Sequence, residues 1–180
     1  MRWFTDAAHE DHDDAAWDRM LKEYEAHLGR IASDLPPDLA RLALEPELNL
    51  HDARFERVEI DLRNSTVIIV VNAGDLQVGY RRITMTFTGA SIVPDNLRKL
   101  AYAIRAEFRP SHWSRYRSVT EIHDQEVDVV GSGRYTLRLR LWPFHEFAVE
   151  FDGFSRSHEP LADRPPPRAG AFVLHGPGDP

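Results

Sequence analysis

His51-Asp52, Glu121-Ile122-His123 and His145-Glu146 each set an imidazole close to a carboxylate at or beside an expected strand. Such a pair can ligate a metal ion or pass a proton as an acid and base. Glu121 and His123 are two residues apart in an expected strand, a spacing that points both side chains to one face. With His51 and Asp52 they form the one candidate set for a metal-binding or hydrolase-like site. A plainer reading has His51 and Asp52 hydrogen-bonding a turn and Glu121 as a partly buried acid paired with an arginine. That reading is preferred, so the sequence assigns no catalytic residue, metal or cofactor.

Two further clusters are rich in chemistry-bearing residues. His9-Glu10-Asp11-His12-Asp13-Asp14 is dense in ligand types, but a cluster without a rigid frame is better explained as a solvated, helix-capping acidic stretch. His112-Trp113-Ser114-Arg115-Tyr116-Arg117 mixes rings and cations. Trp113, Arg115, Tyr116 and Arg117 can stack on bases or hold an acidic partner. The plainer alternative is a loop whose rings cover the edge of the core while the arginines stay wet.

Absences narrow the field. The sequence has no phosphate-binding loop, no dinucleotide glycine signature and no Gly-x-Ser-x-Gly elbow. Val149 stands where a zinc protease would need its second histidine after His145-Glu146. With no cysteine there is no disulfide framework, thiolate ligand or cysteine nucleophile. A formal net charge of −7 argues against general nucleic-acid binding. The charge is uneven: Asp6, Glu10, Asp11, Asp13, Asp14 and Asp18 crowd the start, whereas Arg98, Lys99, Arg105, Arg109, Arg115 and Arg117 crowd the middle. The longest apolar run, Val67 to Val71, is too short for a signal-peptide core or a membrane span. A cytoplasmic protein that does not enter the membrane is expected.

The elements that must position these residues follow from periodicity. Trp17, Met20, Leu21, Tyr24, Leu28 and Ile31 share one face of a helix expected over Asp14 to Ser33. Pro36-Pro37 stops it, and a short helix is expected from Pro37 to Leu44 with Leu39 and Leu42 inward. Val58, Ile60 and Leu62 alternate with charged residues as in a half-wet strand, whereas Thr66 to Asn72 reads as a central strand. Ala73-Gly74-Asp75 predicts a turn, and a change of phase near Arg81-Arg82 predicts a bulge in Leu76 to Phe87. A helix is expected from Pro94 to Phe108, with Leu97, Leu100, Ala101, Ile104 and Phe108 inside. Strands are expected at Ser118–Val130, with a break, at Arg134–Trp142 and at Glu146–Phe151. The result is an α+β domain over residues 1–154: a mostly antiparallel sheet of about six strands, an N-terminal helical segment, and one helix between two β-meanders. From residue 155 the chain carries six of its twelve prolines and is expected to be mostly disordered. Within it, Phe172-Val173-Leu174 is a patch able to dock.

Arg2-Trp3-Phe4-Thr5, the helix with Trp17 and Tyr24, the step Leu50-His51-Asp52-Ala53, Glu121-Ile122-His123 and Glu146-Phe147-Ala148-Val149-Glu150-Phe151 occur in that order over residues 2–153. In this layout the chain resembles a family of uncharacterised bacterial proteins, a domain of unknown function with an aromatic-Phe-Thr start and a central Leu-His-Asp-Ala step. It is also similar in architecture to immunity proteins of bacterial toxin systems, which neutralise a toxin by binding it. The resemblance implies no activity, only a layout compatible with a protein partner. The leading expectation is a non-enzymatic protein-binding domain. The alternative is the metal-binding or hydrolase-like domain built on His51, Asp52, Glu121 and His123.

Overall fold

The structure, a computed structural model, describes residues 1–4, 14–108, 118–142 and 146–176. The described residues form three α-helices: α1 (Asp14–Ile31), α2 (Pro37–Leu44) and α3 (Pro94–Arg105). Short 3-10 turns follow the first two, at Ala32–Asp34 and Pro46–Leu48. No helix among the described residues is long and apolar enough to cross a membrane.

The first meander is β1 (Ala53–Asp61), β2 (Thr66–Asp75) and β3 (Gly79–Thr88); the second is β6 (Glu121–Gly131), β7 (Arg134–Trp142) and β8 (Glu146–Phe151). Between them lie α3 and a two-stranded ribbon, β4 (Glu107–Phe108) and β5 (Ser118–Val119). β9 (Gly153–Leu161) and β10 (Ala171–His175) complete the chain. The main sheet runs β8-β7-β6-β1-β2-β3-β9, with β10 added alongside β1. It is antiparallel except for that last pair. The α+β class and the helix between two meanders are as expected, but the sheet has eight strands rather than about six.

The two extra strands come from the segment expected to be disordered. β9 pairs with β3 from Tyr80↔Leu161 to Thr88↔Gly153. Its prolines did not prevent this because β9 is an edge strand, where Pro160 needs no second ladder partner. β10 lies parallel to β1, from Arg57↔Ala171 to Asp61↔His175, so the patch at Phe172 docks on the domain itself. Arg105 fixes it from α3: its guanidinium donates to the Phe172 carbonyl at 2.9 Å and lies over the Phe172 ring.

Three boundaries also moved. The turn placed at Ala73–Asp75 occurs at residues 76–78, because the Asp75 carboxylate accepts the amides of Gln77 and Val78. The amides of Val78 and then Gln77 hold that carboxyl below its ordinary range. Leu76 thus falls in the turn, almost fully exposed, and β3 pairs with β2 without a register shift. The phase change near Arg81-Arg82 is therefore the start of a strand and not a bulge. Finally, α3 ends at Arg105, three residues before the predicted Phe108, and the chain turns extended at Ala106.

A single residue, Asp152, separates β8 from β9, although these strands lie at opposite ends of the strand order. One residue spans under about 4 Å, so the two sheet edges must meet at this corner. They do: the Asp152 amide donates to Thr88 at 3.0 Å, and Ser91 and Glu150 exchange backbone hydrogen bonds. Gly89, at φ +61, is needed there because a Cβ would lie 2.3 Å from the Asp152 carboxylate. Inside the curled sheet, Phe87 meets Phe151 at 4.9 Å and Phe154 at 5.2 Å between ring centroids. Ile69, Val71, Ile83, Met85, Leu137, Leu139 and Val149 are fully buried in the same core, with Leu39 and Leu42 of α2 and Leu100 and Ile104 of α3.

The N-terminal segment is held differently. Glu126 is a fully buried carboxylate on β6. It accepts the backbone amides of Arg2, Trp3 and Phe4 at 2.7–3.0 Å, and Arg138 of β7 approaches it to 3.8 Å. Several charge-assisted hydrogen bonds offset the cost of taking this group out of water. Trp3 and Phe4 thereby pack on Tyr24 of α1, at 5.1 and 5.2 Å. The Tyr24 hydroxyl in turn accepts the Val127 amide at 2.8 Å, and His27 meets Asp128 at 3.1 Å. Burial pushes the Tyr24 phenol well above its ordinary value.

Two outcomes follow from this anchor. Replacing Glu126 with Ala leaves three amides without their acceptor and should lower unfolding free energy in urea by roughly 3 kcal/mol, whereas exposed Glu150→Ala should change it by under about 0.5 kcal/mol. Equal effects would refute the anchoring role. Because the folded Tyr24 phenol titrates higher than the unfolded one, stability should be full below about pH 10 and decline above it. Tyr24→Phe should flatten that alkaline slope in pH-dependent denaturation.

Candidate functional site

Among the described residues the two meanders share a strand ladder only at one corner. β1 and β6 pair at Ala53↔Ile122 and Arg54↔Glu121, and nowhere else. Beyond Ile122, β6 runs past the start of β1, alongside the segment that leads into it. The Asp52 amide continues the contact by donating to the Ile122 carbonyl at 2.8 Å. Asp52 then leaves the ladder at φ +59, a left-handed conformation that Asp tolerates better than most residues. This reversal sets the His51 ring over β6, where Nδ1 lies 2.6 Å from the His123 carbonyl oxygen. The two imidazoles meet edge to face, 5.2 Å between centroids.

A bulge decides what β6 presents to His51. Ile122 pairs with Leu141 and Asp124 with Arg140, so His123 is an extra residue that the β7 register skips. Extra residues of this kind re-aim side chains. Instead of pointing to opposite faces, His123 and Asp124 come together, with Nδ1 3.1 Å from Oδ2. A nitrogen of each histidine and an oxygen of Asp124 lie within 4.8 Å of one another. His51 is half exposed, His123 somewhat less so, and Asp124 nearly buried.

The same bulge separates Glu121 from His123. Glu121 sits before it and accepts from Arg54 at 2.7 Å, with Arg164 at 3.5 Å. Arg164 also donates to the Asp52 carbonyl, tying the segment after β9 to this corner. Glu121 is thus a structural acid between two guanidinium groups, as the plainer reading had it. The Asp52 carboxylate is 3.7 Å from His51 Nε2, beyond hydrogen-bond reach. Of the four residues grouped from the sequence, the structure brings His51 and His123 together and engages Glu121 elsewhere. Asp124 was missed. The signal for it was the run His123-Asp124-Gln125-Glu126, which breaks the alternation a regular strand requires. Trp113, Arg115, Tyr116 and Arg117, His145 and the cluster from His9 to Asp13 lie outside the described residues.

The imidazole cluster forms one wall of a cleft of about 460 Å³ between α1, the end of α2 and β6. Trp17, Leu21, Leu28, Leu42 and Ala43 give it an apolar lining, and Glu25 and Asp124 add carboxylates, whereas the Glu45 carboxylate is paired with Arg41 at 3.1 Å and Arg156 at 3.6 Å. Gln125 donates to the Leu42 carbonyl at 3.2 Å, while its Oε1 is buried without a hydrogen-bond partner among the described residues. An apolar cleft of this size with a few convergent polar groups is the usual form of a small binding site.

The backbone at Asp52 offers a direct check on the corner. Asp52→Gly should fold with unchanged or slightly raised stability, whereas Asp52→Val should lose about 1–2 kcal/mol in urea denaturation because a β-branched residue resists positive φ. Equal tolerance of both would mean that the chain does not reverse there. No protein-family model matches the sequence, and neither a curated protein nor a solved structure matches it.

Proposed function

We propose that this protein is a non-enzymatic binding protein, immunity-like in its mode of action, that seats an apolar anchor of a protein partner in the cleft between α1 and β6. The observation that supports this is the cleft itself, with its aromatic and aliphatic lining beside Glu25 and Asp124. Apolar anchors seated in pockets supply most of the free energy of protein association. The carboxylates around the lining, in a chain of net charge −7, favour a partner with Lys or Arg flanking that anchor. The carboxylate–imidazole groups of the alternative, hydrolase-like reading are divided between a structural ion-pair network at Glu121 and the pair His51 and His123.

Affinity capture from host-cell lysate, run in parallel with a cleft variant, tests the proposal. Leu44 and Glu25 line the cleft at exposed positions, so the double variant Leu44→Glu/Glu25→Lys should fold within about 1 kcal/mol of the parent. The parent should retain a stoichiometric protein that moderate salt weakens, and the variant should lose it. Recovery of no stoichiometric protein, or equal recovery by both forms, would overturn the reading.

A further inference from the structure

We propose that His51, His123 and Asp124 form a binding site for a divalent first-row transition-metal ion of the zinc type, with its open coordination position facing the cleft. The argument begins with the donor set. Two imidazoles and one carboxylate are three protein ligands of the kind zinc takes when a fourth position is left for water or another ligand. One nitrogen of each ring and one oxygen of Asp124 already lie within 4.8 Å of one another. Adjacent ligands around tetrahedral zinc are separated by about 3.3 Å. His123 Nδ1 and Asp124 Oδ2 are hydrogen-bonded at 3.1 Å, close to that separation, and the ion would take the place of the proton between them. Only His51 must close in, and its half-exposed ring has the freedom to do so.

Tautomer chemistry supports the assignment. A carbonyl oxygen only accepts, so the 2.6 Å contact to the His123 carbonyl makes His51 Nδ1 the protonated nitrogen. Nε2 then carries the lone pair available to a metal. Metal-binding histidines are commonly oriented in this way, with the second ring nitrogen donating to a backbone carbonyl or carboxylate. Here the carbonyl belongs to another ligand of the same site, so the contact that orients His51 also keeps it beside His123. The bulge at His123 is part of the same construction, because without it the strand would send His123 and Asp124 to opposite faces. All three residues border the cleft, so a donor group on a bound partner can reach the open position.

The test uses the untagged full chain and the metal alone. Zn2+ titration followed by calorimetry, and Co2+ titration followed by its visible ligand-field bands, should give one site per chain with a tetrahedral Co2+ spectrum. His51→Ala, His123→Gln and Asp124→Asn should each weaken binding by about tenfold or more, with far-ultraviolet circular dichroism unchanged. Zn2+ should raise the thermal midpoint of the parent and of His9→Ala/His12→Ala, but not that of His51→Ala. Absence of a stoichiometric site would overturn the proposal. So would loss of binding in His9→Ala/His12→Ala together with retention in His51→Ala and His123→Gln, since the acidic N-terminal stretch would then be the binder. Neither result bears on whether the cleft takes a protein partner, which the capture experiment decides separately.

Discussion

The carboxylate of Glu126 is the contact on which the shape of the functional face depends. A charged group with no exposure to water is tolerated only when its oxygens are well satisfied, and here the amides of residues 2–4 satisfy them. The attachment works in both directions. Glu126 gains donors, and Trp3 and Phe4 gain a fixed position against Tyr24, Trp17 and His27. Tyr24 then satisfies the amide of Val127 with its hydroxyl. β6 pairs with β1 for only two residues, so this part of its length depends on the N-terminal segment and α1 for cover. Remove the carboxylate and the wall of the cleft formed by Phe4, Trp17 and Tyr24 loses its support.

A second constraint shapes the opposite side. The single-residue link between β8 and β9 draws the two edges of the sheet together and closes the aromatic cluster of Phe87, Phe151 and Phe154 over the core. The curled sheet and the offset meanders together explain why the cleft is where it is. Curling concentrates the apolar side chains of both meanders in one interior, and the short β1–β6 ladder leaves space that helices must fill. α1 and α2 fill most of it, and what remains is the cleft with the imidazole cluster in its wall. The site is therefore a consequence of incomplete strand pairing. The polar groups in its wall are held by backbone contacts on two segments, which keeps them close together without a dedicated loop.

Much of the scaffold was legible in the amino-acid order. α1 and α2 followed from three-and-four spacing and from the prolines that bound them, β2 from its β-branched run, and β7 and β8 from alternation between glycine- and proline-containing turns. Of the cluster, only the two histidines were legible, and they came grouped with Asp52 and Glu121 and not with Asp124. The expectation that Glu121 and His123 share a face assumed a regular strand, and one extra residue between Ile122 and Asp124 was enough to break it. The segment after residue 155 was misread for a related reason. Composition describes what a segment can stabilise alone, whereas β9 and β10 gain their order from the existing edges of β3 and β1.

What the sequence determined by itself is local: where helices start and stop, which strands are half-wet, which side chains are apolar enough to form the core. These properties act through neighbours a few residues away, so spacing and composition record them. Only the tertiary structure decided that His51 lies against His123, that Asp124 joins them in place of Glu121, and that Glu126 is buried among N-terminal amides. The contacts of His51 with His123 and of Glu126 with the N-terminal amides join residues 72 to 124 positions apart. They arise from register, a bulge and a positive φ, which are properties of strands once paired and leave little trace in the order of the residues.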